Sequence, residues 1–165
     1  MRSRELVLAV RDMLADAVKD YPFPSPDGSR EDLQVFLHGL PEEQGARTFP
    51  FICVRWVGGD INESIATYGR AESRETLALV LGLYAPESQE QAGLILAELL
   101  DWTRAVLRRN RIVAGKFQLE LPLRASVPDP EKQWIEYHMA TIFPEYQYRI
   151  PSTSLGGTLK EHSHE

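Results

Sequence analysis

The spacing of apolar side chains along the chain predicts two amphipathic helices. Between residues 3 and 19, apolar side chains recur every three or four positions and charged side chains fall mostly between them, which is the period of a helix with one buried face. Residues 88–109 repeat this spacing. This second stretch opens with Ser88 and Gln91, a capping-box pattern whose side chains bond free backbone N–H groups of the first turn. We therefore expect a helix over each stretch.

Alternation of apolar side chains with other residues predicts a sheet. The most regular example places Leu77, Leu79, Leu81 and Leu83 on one face of a strand and mostly smaller side chains on the other. Four further stretches have strand character, namely residues 33–38, 51–57, 117–123 and 134–143. The order of these elements predicts an α+β fold, with an antiparallel or mixed sheet of four to five strands and two helices packed on one face.

Length and composition fit one folded domain. The chain has 165 residues, of which 43% are hydrophobic and 25% are charged, an ordinary globular mixture. We predict a single domain over residues 1–150 and a flexible C-terminal tail over residues 151–165, where apolar side chains are few. No run of about 18 apolar residues occurs, so we expect neither a membrane span nor a secretion signal, and we expect folding in the cytoplasm.

No group of residues carries an evident catalytic or metal-binding chemistry. The single cysteine, Cys53, lies in an apolar run and is interpreted as a core residue. His38 and His138 stand alone on predicted strands, and His162 and His164 lie in the predicted tail, where two imidazoles complete no coordination sphere. Phosphate-binding glycine loops, metalloprotease motifs and nucleophile elbows do not occur. These absences predict a protein that is not an enzyme and that uses no metal or cofactor.

A cluster of arginines lies at the end of the second predicted helix. It consists of Arg104, Arg108, Arg109 and Arg111. Such cations complement the partial negative charge of a helix C-terminus by about 0.3–1 kcal/mol each, or they contact phosphates. The net charge of −6 favours the first interpretation, because an acidic chain is repelled by nucleic acid and by anionic membranes. We expect no sequence-specific binding to nucleic acid and no membrane partner.

One face of the predicted sheet is more apolar than is usual for a surface that contacts only water. If the helices cover the leucine face, the candidate interface on the other face consists of Trp56, Ala78, Val80 and Tyr84, with Phe36 and Ile142 beside them. This arrangement predicts a surface for contact with another protein. The alternative is that loops or the N-terminal segment fold over this face.

The connection between the second and third predicted strands, residues 58–74, is longer than a usual hairpin loop. The candidate partner-contact residues in it are Gly59, Asp60, Asn62, Glu63, Tyr68 and Arg70. Long loops of this kind often bind partners and become ordered on contact. The alternative is a flexible surface segment without a partner.

Residues 33–151 resemble the tail-terminator proteins of long-tailed bacteriophages and prophages, a family of minor tail proteins that close the tail tube and join it to the head. The resemblance rests on the order of the elements, the entry into a strand over residues 47–54, and the glycine-bounded loop before residues 77–84. The resemblance also rests on the helix over residues 88–109 and on the closing strand that begins at residues 133–138.

The resemblance implies a structural protein of the virion tail or neck that is assembled in the bacterial cytoplasm. Its expected partners are copies of itself in a ring, typically a hexamer, the tail-tube protein, and the head–tail connector proteins. Two alternatives remain: another head-completion or neck protein of a phage, and a small cellular module that binds a peptide or a ligand. An enzyme is a third class, which would need a pocket with titratable groups of perturbed pKa.

Overall fold

The computed structural model describes residues 2–21, 33–39, 50–58, 64–66, 70–84, 89–128 and 137–148 of the chain. Two α-helices, a short 3-10 helix and seven strands occur in these ranges: α1 (Arg2–Ala17), the 3-10 helix (Val18–Asp20), β1 (Gln34–Leu37), β2 (Phe51–Gly58), β3 (Ser64–Ala66), β4 (Arg70–Tyr84), α2 (Gln89–Arg109), β5 (Ile112–Val113), β6 (Phe117–Ser126) and β7 (Tyr137–Tyr148). The predicted tail, residues 151–165, lies outside the described residues.

The strands form one mixed sheet with the order β1-β2-β4-β7-β6-β5, and β3 pairs with the beginning of β4. The pairing of β1 with β2 is parallel, and the other pairings are antiparallel. The α+β class and the two helices are confirmed. The predicted strand number of four to five was too low, because β3 has three residues and β5 has two, which is too short for alternation to be recognised.

Both helices pack on the same face of the sheet. Alternate residues of β4, from Leu77 to Leu83, share one buried cluster with Leu6 and Leu14 of α1 and with Leu99 of α2. Because successive side chains of a strand point to opposite faces, this cluster covers one face. Complete burial of each of these leucines contributes about 1.5–3 kcal/mol.

A smaller cluster lies on the opposite face. Phe51 and Cys53 of β2 are buried there beneath Phe36, Val80, Tyr84 and Met139. Ile142 was expected on this face, and that expectation was wrong. It pairs with Leu79 and is buried in the helix-side core, so the predicted face of β7 was displaced by one residue.

The beginning of β4 extends beyond the main sheet. Pairing between β2 and β4 ends at Gly58 and Thr76, and pairing between β7 and β4 ends at Tyr148 and Ser73. Residues 70–72 pair with β3 instead. The resulting two-stranded ribbon, β3 with residues 70–72, projects roughly 10 Å past the sheet at about 3.3 Å per residue. The region 58–74, predicted as one long loop between two strands, therefore contains a strand pair of its own.

Candidate interaction surface

A groove with a volume of about 540 Å³ lies on the sheet face opposite the helices. Its lining comes from the end of β1 and from β2, β4 and β7, and consists of His38, Arg55, Trp56, Val57, Ala78, Val80 and Thr141. Arg55 pairs with Ala78, and Val80 pairs with Thr141, so three neighbouring strands form the floor. We call this set of residues the open-face groove.

The apolar part of the groove is formed where β2 becomes irregular. The register between β2 and β4 shifts between Trp56 and Gly58. The residues on either side of this irregularity, Trp56 and Val57, both line the groove and are 46% and 57% exposed. Two large apolar side chains that are half exposed on a concave surface are typical of a contact site.

The polar part of the groove is centred on Arg55. Its Nε donates a hydrogen bond of 3.0 Å to the carbonyl oxygen of His38, which holds the guanidinium at the rim. His38 itself follows β1 with a φ of 63°, a left-handed conformation that histidine adopts more readily than most residues. None of the ion pairs between described side chains includes Arg55. The groove thus combines apolar walls with a positioned cation that lacks a carboxylate partner among the described residues.

Cys53 lies beneath the groove and is 2% exposed. Burial raises the pKa of its thiol above the ordinary value, and the charge and hydrogen bond of Arg55 oppose that rise without cancelling it. The thiol is therefore protonated at neutral pH, which fits the interpretation of Cys53 as a core residue rather than a nucleophile.

Three of the four residues predicted for the sheet-face interface come together in the groove: Trp56, Ala78 and Val80. Tyr84 lies farther along β4 and packs against the Phe51 and Cys53 cluster instead. Sequence reasoning missed the other groove residues, His38, Arg55, Val57 and Thr141. The one available signal was Arg55, the single charged residue within the apolar run over residues 51–57.

The candidate contact loop is described only in part. Gly59, Asp60, Asn62, Glu63 and Tyr68 lie outside the described residues. Arg70 is the first residue of β4, and its backbone pairs with Ala66 of β3. Arg70 therefore belongs to the ribbon rather than to an irregular loop.

The four predicted arginines lie at and after the end of α2. Arg108 and Arg109 are exposed in its last turn, and Arg111 is exposed just beyond it. Arg104 Nη1 lies 3.9 Å from Asp101 Oδ1, and the buried Nε of Arg104 has no hydrogen-bond partner among the described residues. The three exposed side chains lie where a cation complements the helix dipole and where a phosphate could also reach them, so both interpretations of this cluster stay predictions.

A buried polar pair lies between α1 and the root of the ribbon. Ser3 Oγ donates a hydrogen bond of 2.6 Å to Glu75 Oε1, and Glu75 is directly opposite Tyr146 in the sheet. Glu75 Oε2 and the hydroxyl of Tyr146 have no hydrogen-bond partner in the part of the chain that the structure describes. Burial raises the pKa of Tyr146 far above its usual range, so the phenol remains neutral. No pattern in the amino-acid sequence indicated this pair.

Within the described ranges, no three His, Cys, Asp or Glu side chains are grouped so as to hold a metal ion. Neither described helix is long and apolar enough to span a bilayer.

Comparisons with known proteins support the fold alone. No protein-family model and no curated protein match the chain. Fifteen solved chains match it in structure. In one of them, the likeness covers 90% of this chain and 96% of the other, with a TM-score of 0.58 and 13% sequence identity. That chain is about as long as this one, so the same α+β arrangement occurs elsewhere as a domain of similar size.

Proposed function

We propose that this protein is a structural protein that closes a ring with copies of itself on the tail tube of a bacteriophage or prophage. The ring ends tail polymerisation and offers a surface for joining to the head. The observation that carries the proposal is the open-face groove, where Trp56 and Val57 are half exposed beside Arg55. Apolar surface of this kind has a lower free energy in contact with another protein than in contact with water.

A ring requires two different adhesive patches on each copy, because one patch must dock on another until the rotation closes. The open-face groove supplies one patch. The ribbon projects past the sheet and is suited to contact a neighbour outside the ring, namely the tail-tube protein or a head–tail connector protein. The net charge of −6 would limit adhesion of the genome as it passes through the ring.

In this proposal the protein is part of the virion tail or neck, is assembled in the bacterial cytoplasm, and has no catalytic role, cofactor or membrane partner. The alternative of another phage neck or head-completion protein shares these features and differs in the neighbour that the ring contacts. Purified tail tubes and purified heads, offered separately, distinguish the two.

The groove also supports a second candidate, a small cellular binding module. Its volume of about 540 Å³ lies within the range of about 300–1,000 Å³ that is common for small-molecule sites. A module of this kind would remain monomeric and bind a peptide or ligand at Arg55 and Trp56, whereas a tail terminator self-associates.

Size-exclusion chromatography with light scattering, over a series of protein concentrations, tests the proposal. We expect a ring-sized species, and we expect electron microscopy to show it at one end of tail tubes from the phage or prophage that encodes the chain. A protein that stays monomeric and leaves the tubes uncapped would contradict the proposal. Deletion of residues 62–68, which removes β3, should abolish joining to tubes while the circular-dichroism spectrum is retained.

A further inference from the structure

We infer that neighbouring copies bind through the outer surface of α2 on one copy and the open-face groove on the next. This inference rests on the proposed self-assembly and assigns its interface. It depends on three properties of the two surfaces: their chemistry, their dimensions and their positions on opposite sides of one molecule.

The outer surface of α2 is acidic and partly apolar over residues 90–101, and its last turn carries the exposed Arg108 and Arg109. Residues 90, 94, 98 and 101 lie on one side of the helix, since they are spaced by three or four positions. Leu94 is 62% exposed at the centre of this side, with Glu90 and Glu98 one turn away in each direction. Ala97 and Ala105 are also exposed there. Neither Glu90 nor Glu98 forms an ion pair with a described side chain. We call this set the α2 outer stripe.

The α2 outer stripe and the open-face groove are complementary in charge and in polarity. The groove is lined by the apolar residues Trp56, Val57 and Val80 and by Arg55, which forms no ion pair with a described side chain. The stripe has one large apolar side chain between two carboxylates that form no ion pair with the described part of the chain. Leu94 would therefore contact the apolar walls while a glutamate pairs with Arg55. Arginine and carboxylate form a bidentate pair that is stronger than a neutral hydrogen bond.

The dimensions also agree. Three neighbouring strands, β2, β4 and β7, form the floor of the groove. At about 4.8 Å between strands they span roughly 10 Å, which is close to the diameter of an α-helix with its side chains, about 10–12 Å. A helix of a neighbouring copy would cover the open face as the molecule's own helices cover the other face.

The two surfaces cannot meet within one molecule. Ala92, Leu96 and Leu99 hold α2 on the helix-side face, and the groove is on the opposite face. Each copy therefore has one free groove and one free stripe, and contact between them is head-to-tail. A contact of this type either continues as a filament or closes as a ring, according to the rotation between copies.

Charge reversal tests this interface. Arg55→Glu alone, and Glu90→Arg with Glu98→Arg, should each weaken self-association about tenfold or more, since like charges then meet. All three substitutions together should restore most of the association. Arg4→Glu and Asp16→Arg are matched controls, because they reverse exposed charges on α1, and they should leave association unchanged. Circular dichroism of each variant shows whether it is folded. The neutral variants Arg55→Gln and Glu98→Gln remove one charge without reversing it, so they separate loss of the contact from loss of folding.

Cross-linking provides a second measurement that does not depend on charge. Two variants are prepared, one with Val57→Cys and one with Leu94→Cys. A short bis-maleimide is added to each variant alone and to a mixture of the two. The native Cys53 is buried and should not react. We expect cross-linked pairs in the mixture and none in either chain alone.

The outcomes separate this inference from the proposed function. If the wild-type protein forms rings that cap tubes, but charge reversal has no effect and the mixture does not cross-link, the inference is wrong and the ring proposal stands. Cross-links in the sample that contains only the Val57→Cys variant would indicate a two-fold contact between two grooves. That result would also overturn the inference. If the wild-type protein never self-associates, the proposed function and this inference fail together.

Discussion

The two faces of strand β4 carry side chains of different size and different exposure. On the helix side, Leu77, Leu79 and Leu81 are completely buried. On the other side, Val80 and Tyr84 are partly exposed and Gly82 has no side chain. The same backbone thus supports a packed core on one side and a shallow surface on the other. The difference indicates that one face stabilises the fold and that the other is available for contact.

The first prediction concerns the helix-side face. Leu79→Ala should lower the free energy of unfolding by about 2–5 kcal/mol, because it leaves a cavity among packed leucines. Val80→Ala on the same strand should lower it by less, since Val80 is smaller and partly exposed. Urea denaturation of the two variants measures the difference. Equal losses would contradict the distinction between the faces.

The second prediction concerns Gly82, on the open face. A Cβ built at this position would overlap the ring of Phe51. Gly82→Ala should therefore cost about 1–3 kcal/mol of unfolding free energy, as overpacking does, although it adds one methyl group to the less buried face. Combining it with Phe51→Leu should recover part of the loss, measured by the same denaturation experiment. A stable Gly82→Ala variant would show that the ring moves aside freely.

The third prediction concerns the buried hydroxyl of Tyr146. No described residue forms a hydrogen bond with it, so Tyr146→Phe should change the free energy of unfolding at neutral pH by less than about 1 kcal/mol. The sign of the pH effect follows from the raised pKa: below about pH 10, both folded and unfolded forms keep the phenol proton. At higher pH the unfolded chain ionises first, so stability falls.

Thermal unfolding at neutral and alkaline pH measures this effect. The fall in stability above about pH 10 should be smaller in the Tyr146→Phe variant than in the wild type. Burial also raises the pKa of Tyr21, to about 12, with a smaller contribution from Glu98. Tyr21→Phe should therefore act in the same direction and serves as a comparison. An identical alkaline slope in all three proteins would contradict the burial of these phenols.

The smallest expected effect on stability is at the groove. Val57 is 57% exposed, so Val57→Glu should change the free energy of unfolding by no more than about 0.5 kcal/mol. Its effect on self-association should be large, because the charge would lie on an apolar wall. Leu94→Ser should likewise weaken association with little change in stability. A variant that loses stability and association in parallel would show that the groove is part of the core.

Much of the fold could be predicted from periodicity. The leucines of β4 and the apolar side of α2 are buried as their spacing predicted, because each period corresponds to one covered face. The face of β7 was not predictable in this way. Its residues over positions 137–144 are apolar or weakly polar on both sides, so alternation could not choose which side carries Ile142.

The groove and the ribbon were predictable only in part. Trp56, Ala78 and Val80 were predicted as residues of an apolar sheet face, but Arg55 and His38 meet through a backbone bend that no local pattern indicates. The ribbon was missed because residues 70–75 are mostly polar. A strand held by backbone pairing, with little burial, lacks the apolar alternation that sequence analysis detects.

The continuity of β4 has a mechanical consequence. Its 15 residues run without interruption from the ribbon through the centre of the sheet. Antiparallel hydrogen bonds lie perpendicular to the strands, so tension applied at the ribbon would load the bonds to β2 and β7 in shear, with many sharing the force at once. A partner that pulls on the ribbon would thus act on the most strongly anchored strand of the molecule and not on a segment that peels away.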